Sequence, residues 1–290
     1  MGYVYCASYA GFNDILCQMG IAWDYARRHN RVLVVDTLRS GLHDDLGTYF
    51  DCSDPGIVLA PTKSLIDRLN TMSTYPPLVR GAIDTHPREQ RGAVFYLPGT
   101  GYMLGFDLDR DYAEQVLVYY ASVGGEDGAL SLARLRMRPG IAAEVTRSLE
   151  PLGGSYAAVH VRNTDYETDY MPFFRELYPK MAGKTLLVCS DDWECRERAR
   201  EFFAESRVVT VTEIPNTGQK PLHLIKTNVR EKNLAMLTDL FGMAGAEELY
   251  VAPMKRGGIN GESGFSILAR KLRQYPRIRQ AVLGTGEQPR

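Results

Sequence analysis

The chain has 290 residues, with 34 lysines and arginines against 35 aspartates and glutamates and a formal net charge of -1. With no net field of either sign, global attraction to nucleic acid or to an anionic membrane is not expected, and any anion must be met locally. Hydrophobic residues at 44% and charged residues at 24% describe a packed protein rather than a disordered one, and the length suits two domains of ~140 residues, each with its own core.

The opening Met1-Gly2-Tyr3-Val4-Tyr5-Cys6 lacks the basic segment and long apolar stretch of a secretion signal, and no apolar run approaches ~18 residues. A cytoplasmic chain without a transmembrane segment is expected, compatible with peripheral attachment to a membrane. Short apolar, β-branched runs at 4–7, 32–35, 57–59 and 94–96 predict strands, with a helix over 14–29 between the first two. Residues 71–91, with Pro76, Pro77, Gly81 and Pro87, read as an irregular surface loop.

The pattern restarts at the break Pro151-Leu152-Gly153-Gly154-Ser155. Strands follow at 157–161, 186–189, 208–211 and 249–251, with helices over 193–204, 231–244 and 267–273, and residues 284–290 form a loose tail. Several strands are continuously apolar, as strands buried on both faces should be. Strand alternating with helix predicts an α/β fold of two Rossmann-like domains with parallel sheets, one over 1–150 and one over 151–290. The five cysteines, Cys6, Cys17, Cys52, Cys189 and Cys195, form no Cys-x-x-Cys pair, so they are expected as reduced thiols with neither a disulfide frame nor a metal site.

Ligands of open α/β sheets bind beyond the strand C-termini. There the strand Ala157-Ala158-Val159-His160-Val161 runs into Arg162-Asn163-Thr164-Asp165. Arg162 has the planar, permanently charged fork that clamps phosphate oxygens, with a structural ion pair as the competing role. The next strand ends in Ser190-Asp191-Asp192, where Ser190 or Asp191 either caps the following helix or contacts a ribose or Arg162. The loop Gly257-Gly258-Ile259-Asn260-Gly261-Glu262-Ser263-Gly264-Phe265-Ser266 precedes the last long helix. Its amides and the helix N-terminus suit a diphosphate, with Ser263 or Ser266 as the cap.

Together, His160-Val161-Arg162-Asn163-Thr164-Asp165, Ser190-Asp191-Asp192 and Ser263-Gly264-Phe265-Ser266 resemble the three C-terminal peptide motifs of the fucosyltransferase superfamily, comprising α1,6-fucosyltransferases, nodulation fucosyltransferases and protein O-fucosyltransferases. The loop Gly11-Phe12-Asn13-Asp14 is similar to that superfamily's N-terminal opening. The resemblance implies a GT-B type glycosyltransferase with two domains facing a cleft, an inverting reaction, and a GDP-fucose donor bound by the C-terminal domain without a metal or other cofactor. A glycan or small-molecule acceptor would then meet the N-terminal domain. By the same resemblance Arg162 holds the donor diphosphate, His160 lies near the guanine and Asp239 reads its edge. Ser266 meets the phosphates, and Asp191 and Asp192 lie beside the nucleotide. Where α1,6-fucosyltransferases carry a second arginine this chain has Asn163, which leaves acceptor class and linkage open.

Transfer also needs a base for the acceptor hydroxyl. Glu167 and Asp169 are the candidates from the acidic loop after Arg162, and in some members of the superfamily the leaving phosphate takes that role. Asp107-Leu108-Asp109-Arg110-Asp111 resembles the Asp-x-Asp of metal-dependent transferases, whereas a calcium loop fails because Tyr112 and Val118 stand where glycine and glutamate are required. Other readings are a transferase using another nucleotide-sugar and a non-catalytic nucleotide- or glycan-binding protein. His29, His43, His86 and His223 stand singly and take no assigned role.

Overall fold

The computed structural model describes residues 1–121 and 124–286, so residues 287–290 of the expected tail lie outside the described residues. The chain divides into two compact units, Met1–Arg138 and the part from Pro139 onward.

In the first unit, β1 (Gly2–Ala7) leads through α1 (Phe12–Arg28) to β2 (Arg31–Asp36), β3 (Phe50–Cys52), β4 (Ile57–Val58), α2 (Lys63–Thr71) and β5 (Thr74–Tyr75). The antiparallel strands β6 (Glu89–Arg91), β7 (Val94–Tyr96) and β8 (Met103–Leu104) precede β9 (Val116–Tyr119), α3 (Gly128–Leu132) and β10 (Leu135–Met137). A parallel sheet of order β4-β2-β1-β9-β5 is the core of this unit, and β3 pairs antiparallel with β10. α1 forms because Ile15, Leu16, Met19, Ala22, Trp23 and Ala26 recur at helical spacing and are all buried, while Asp14 and Arg27-Arg28 suit its two ends.

Two elements differ from expectation. β9 is not among the expected strands, yet it lies beside β1 at the centre of the sheet. Residues 71–91 do not form a surface loop. Thr74–Tyr75 pairs with β9, and Val79, Ile83 and His86 are buried. The prolines and glycines shape the turns of this segment without taking it off the core.

In the second unit, α4 (Pro139–Leu149) precedes β11 (Ala157–Val161), α5 (Tyr170–Met181), β12 (Thr185–Ser190), α6 (Trp193–Phe202) and β13 (Arg207–Val209). α7 (Val229–Gly245), β14 (Glu248–Val251), α8 (Gly264–Gln274) and α9 (Pro276–Val282) complete it. The sheet order is β13-β12-β11-β14, all parallel. Side chains alternate across a strand. Ala157, Val159 and Val161 therefore pack with Phe174, Leu177, Cys195 and Ala199 of α5 and α6, and His160 turns the other way, to α8.

The division between units falls before α4, not at the glycine-rich break after it. α4 buries Ile141, Ala142 and Val145, and its Leu149 reaches α7 at Gly242, where a methyl group would lie 3.0 Å from Leu149 Cδ2. Burial of this apolar face assigns the helix to the second unit.

Candidate functional site

The second sheet steps from β11 to β12 to β13 in one direction, and β14 returns to the other flank of β11. The reversal of strand order at β11 marks the edge at which ligands of open α/β sheets bind. The loop after β11 starts at Arg162, and the loop after β14 ends at Ser263, the N-cap of α8. His160 Nδ1 and Ser266 Oγ lie 2.7 Å apart and tie the strand to the first turn of that helix. Ser263 Oγ lies 2.8 Å from the same hydroxyl and accepts from Ser266 N at 3.1 Å. Ser266 is fully buried with its hydroxyl committed to His160 and Ser263. The amides of Gly264 and Phe265, in the first turn of α8, have no acceptor within the helix.

Burial, followed by the charges of Arg162 and Arg196, pushes the His160 imidazole down to about 3. His160 is therefore neutral, and its ring lies 5.8 Å from that of Phe265.

Arg162 is doubly paired. Its Nη2 lies 2.6 Å from Asp165 Oδ1 and its Nη1 2.8 Å from Asp191 Oδ2. Burial works against its charge, but Asp191 and then Asp165 outweigh that and hold the guanidinium protonated. Asp191 is fixed in turn by Asn163 N at 2.9 Å and by the Thr164 hydroxyl. Asn163 thus builds the Asp191 nest, and its Nδ2 donates to Asp192 Oδ2 at 2.7 Å. Asp192, not Ser190 or Asp191, caps α6, accepting from Glu194 N at 2.9 Å, while Ser190 Oγ accepts from Asp192 N at 3.1 Å.

Asp239 lies in the same unit with both oxygens engaged. Oδ2 accepts from Arg196 Nη2 at 2.7 Å and Oδ1 from the Thr212 hydroxyl at 2.8 Å. Arg196 also donates to Ser190 O at 2.8 Å and to Thr212 O at 2.8 Å. The pair is buried, with side-chain exposures of 4% and 12%. Asp239 is therefore the counter-ion of Arg196, with each oxygen accepting one hydrogen bond. The sequence signal was a lone carboxylate in the apolar run Leu237-Thr238-Asp239-Leu240-Phe241, which demands a buried cation.

The glycine loop is a built structure. Asn260 and Gly261, both at positive φ, form a turn closed by Ile259 N to Glu262 O at 2.9 Å and Glu262 N to Ile259 O at 3.0 Å. Gly258 has φ +68°, and a methyl group there would meet Glu262 O at 2.2 Å. Gly257 lies so close under Tyr166 that a methyl group would meet the ring at 2.3 Å. Lys255 N donates to Glu167 O at 3.0 Å, and Lys255 Nζ pairs with the Glu167 carboxylate. Its hydrogen bond and charge hold the exposed Glu167 carboxyl below the usual range. Asp169 is exposed at the start of α5.

His223 also reaches the site, from a single turn within the long connection between β13 and α7, and its Nδ1 lies 3.5 Å from Arg162 Nη2. Burial and then the Arg162 charge push it down, so it faces the guanidinium as a neutral ring. Nothing in its local sequence marks it.

In the first unit, Gly11 is the N-cap of α1, and Gly11 N donates to Asp14 Oδ2 at 3.2 Å. Phe12 stacks on Phe50 at 6.0 Å, and Asn13 Nδ2 donates to Gly125 O at 3.0 Å. These four residues secure the helix entry beside the end of β1. Asp107-Leu108-Asp109 is a turn in which Asp107 Oδ1 accepts from Asp109 N at 2.9 Å. Among the described residues no group of three or more His, Cys, Asp or Glu is arranged to hold a metal ion, and no helix is long and apolar enough to cross a membrane.

The architecture is the mixed α/β, parallel-sheet fold of the GT-B type fucosyltransferases. NodZ α-1,6-fucosyltransferase, in a crystal soaked with GDP-fucose, is similar at a TM-score of 0.59 and 16% identity over 93% of this chain and 92% of that one. NodZ from Bradyrhizobium matches at the same TM-score with 18% identity over 93% and 92%. POFUT1 in complex with GDP aligns at a TM-score of 0.50 and 12% identity over 94% of this chain and 95% of that one. No family model and no curated protein sequence matches the chain.

Proposed function

We propose that the chain is an inverting, metal-independent glycosyltransferase that takes a nucleotide-sugar, with GDP-fucose as the first candidate, at the reversal point of the second unit. The sugar passes to a hydroxyl of a glycan or small-molecule acceptor held by the first unit. One observation carries this reading: the His160–Ser266 bond brings the strand end bearing Arg162 and the amide-rich first turn of α8 to one edge of the sheet. The fold shared with NodZ, which has been soaked with GDP-fucose, supports the donor class.

In this reading Arg162 keeps Asp191 and exchanges Asp165 for diphosphate oxygens, and the amides of Gly264 and Phe265 meet the charge that develops on the leaving group. Ser263, Ser266 and His160 hold that turn in place. Asp239 positions Arg196 and keeps acceptor capacity for the guanine edge. Glu167, stabilised as an anion by Lys255, is a poor proton acceptor. Asp169 is the remaining carboxylate for that role, and the departing diphosphate is the alternative.

Thermal-shift titration with GDP, UDP, CMP and dTDP tests the donor site. Selective stabilisation by GDP is expected, ~2.7 kcal/mol at a hundredfold excess over the dissociation constant. Indifference to all four overturns the proposal. Turnover of GDP-fucose in excess chelator then supports metal independence, and its loss under chelator returns the Asp107–Asp109 reading. The reading as a non-catalytic nucleotide binder is favoured by the two carboxylates on Arg162. It predicts GDP binding with neither hydrolysis nor transfer.

A further inference from the structure

The first unit has its own strand-order reversal, between β1 and β9, since the chain leaves β1 toward β2 and β4 and later fills β9 and β5 on the other flank. At the C-terminal edge of this sheet stand two arginines that the donor site does not use. Arg88 donates from Nη1 to Ala7 O at 3.1 Å and from Nη2 to Ser8 O at 3.4 Å, at the end of β1. Its guanidinium lies over the rings of Tyr9 at 5.6 Å, Phe95 at 5.3 Å and Tyr120 at 5.6 Å, the last of these directly following β9. Arg39, which follows β2, donates from Nη1 to Asp84 O at 3.1 Å and to His86 O at 2.9 Å.

All these acceptors are neutral. Among the described residues no carboxylate lies within 4.0 Å of a nitrogen of Arg39 or Arg88. Asp36, the carboxylate whose field reaches Arg88, already accepts from the Tyr5 hydroxyl at 2.5 Å and from Leu38 N at 2.9 Å. Asp84 accepts from Asn70 Nδ2 at 3.3 Å. A second observation points to a missing partner. His86 is buried at 3% exposure, its ring lies 5.6 Å from that of Tyr120, and its Nε2 has no hydrogen-bond partner among the described residues. Two like charges, one of them desolvated in part by aromatic faces and both met by carbonyls alone, are an arrangement that an arriving oxyanion stabilises. Burial and the charge of Arg39 both work against the Arg88 cation, the relationship an anion between the two would reverse. The site is reachable, because Arg39 is exposed and Arg88 is half-buried.

We propose that Arg88 and Arg39 form an oxyanion site at the C-terminal edge of the first sheet, which takes a carboxylate or phosphoryl group borne by the acceptor. The site stands on the geometry of the first unit, and only its assignment to the acceptor rests on the transferase reading.

The test is arginine-selective dicarbonyl modification of the whole chain, read peptide by peptide by mass spectrometry, with inorganic phosphate and glucuronate as separate probes. Protection of Arg39 and Arg88 by either anion is expected, and the anion that protects distinguishes a phosphoryl from a carboxylate ligand. Unchanged rates at both residues under both anions overturn the site. In direct titration, Arg39→Gln, an exposed position where folding is not at stake, should weaken the protecting anion by about tenfold, as loss of one charge-assisted contact implies. Affinity equal to that of the unsubstituted chain also overturns it. The donor reading is scored separately, at the Arg162 peptide and by the response to GDP, so either can fail alone.

Discussion

Nδ1 of His160 and Oγ of Ser266, 106 positions apart, lie 2.7 Å from one another inside the second unit. The bond exists with a neutral imidazole, because burial and then Arg162 and Arg196 lower the folded-state pKa to about 3.

Stability should therefore depend on pH through this residue. The unfolded chain holds a histidine near pH 6.5 and the folded chain one far lower, so the unfolded state binds more protons in between. The contribution is fully present above ~6.5 and is lost as pH falls toward 3, at a rate approaching ~1.4 kcal/mol per pH unit. His86 and His223 shift in the same direction, so the His160 share is the difference between the unsubstituted chain and His160→Gln. Urea unfolding from about pH 7 to pH 4 measures it, with a shallower acid slope expected for His160→Gln. Identical slopes would contradict a buried neutral His160.

The two carboxylates on Arg162 should act with opposite signs on ligand binding. Asp165 is partly exposed and competes for the Nη2 that a diphosphate would use, whereas Asp191 is buried and orients the fork. Asp165→Asn is expected to tighten GDP by severalfold, and Asp191→Asn to weaken it. Arg162→Ala should lose about tenfold or more, the equivalent of a charge-assisted hydrogen bond of ~1.5–3 kcal/mol. Calorimetric titration of the three variants decides this, and weaker binding by Asp165→Asn would show that this carboxylate supports the ligand instead of competing with it.

Asp239→Leu leaves the Arg196 charge buried without its carboxylate and should cost ~3–5 kcal/mol in denaturant unfolding. Adding Arg196→Met removes the stranded charge, so the double variant should recover most of that loss. If the single variant were nearly as stable as the parent, the pair would be contributing little. If GDP binding alone fell, Asp239 would be reading the base.

The glycine loop offers a ranked series. Gly258→Ala combines a left-handed backbone with a clash against Glu262 O, whereas at Gly261, with φ +78°, the nearest atom to a methyl group lies 3.8 Å away. Gly261→Ala should cost only the left-handed penalty of roughly 1–2 kcal/mol, and Gly258→Ala clearly more. Thermal unfolding gives the order, and a reversed order would mean that the loop has a different backbone.

Much of this was legible from residue patterns. Continuous apolar runs marked β11 and β12 because strands buried on both faces need no alternation, and the polar residues that close them were correctly taken as one edge of a sheet. The bonds within that edge were not legible. Ser190, Asp191 and Asp192 are adjacent, and only the strand's exit angle decides which one caps α6. Arg196 and His223 arrive from a helix and a long connection whose local sequence says nothing of their destination. β9 was missed although Val116, Val118, Tyr119 and Tyr120 are β-branched or aromatic and favour a strand, because the run is short and lies between irregular segments without an adjoining helical pattern. The expected surface loop at 71–91 failed because prolines and glycines mark where a chain turns and not how deep it runs.

The loops that leave β11 and β14 are fastened to each other by the Lys255–Glu167 ion pair, by Lys255 N to Glu167 O at 3.0 Å and by the Tyr166 ring lying on Gly257. A molecule approaching from that side meets a buckle whose charged half is exposed and therefore screened by salt. Raising ionic strength therefore loosens the charged half of the fastening and leaves the backbone bond and the Tyr166–Gly257 contact in place.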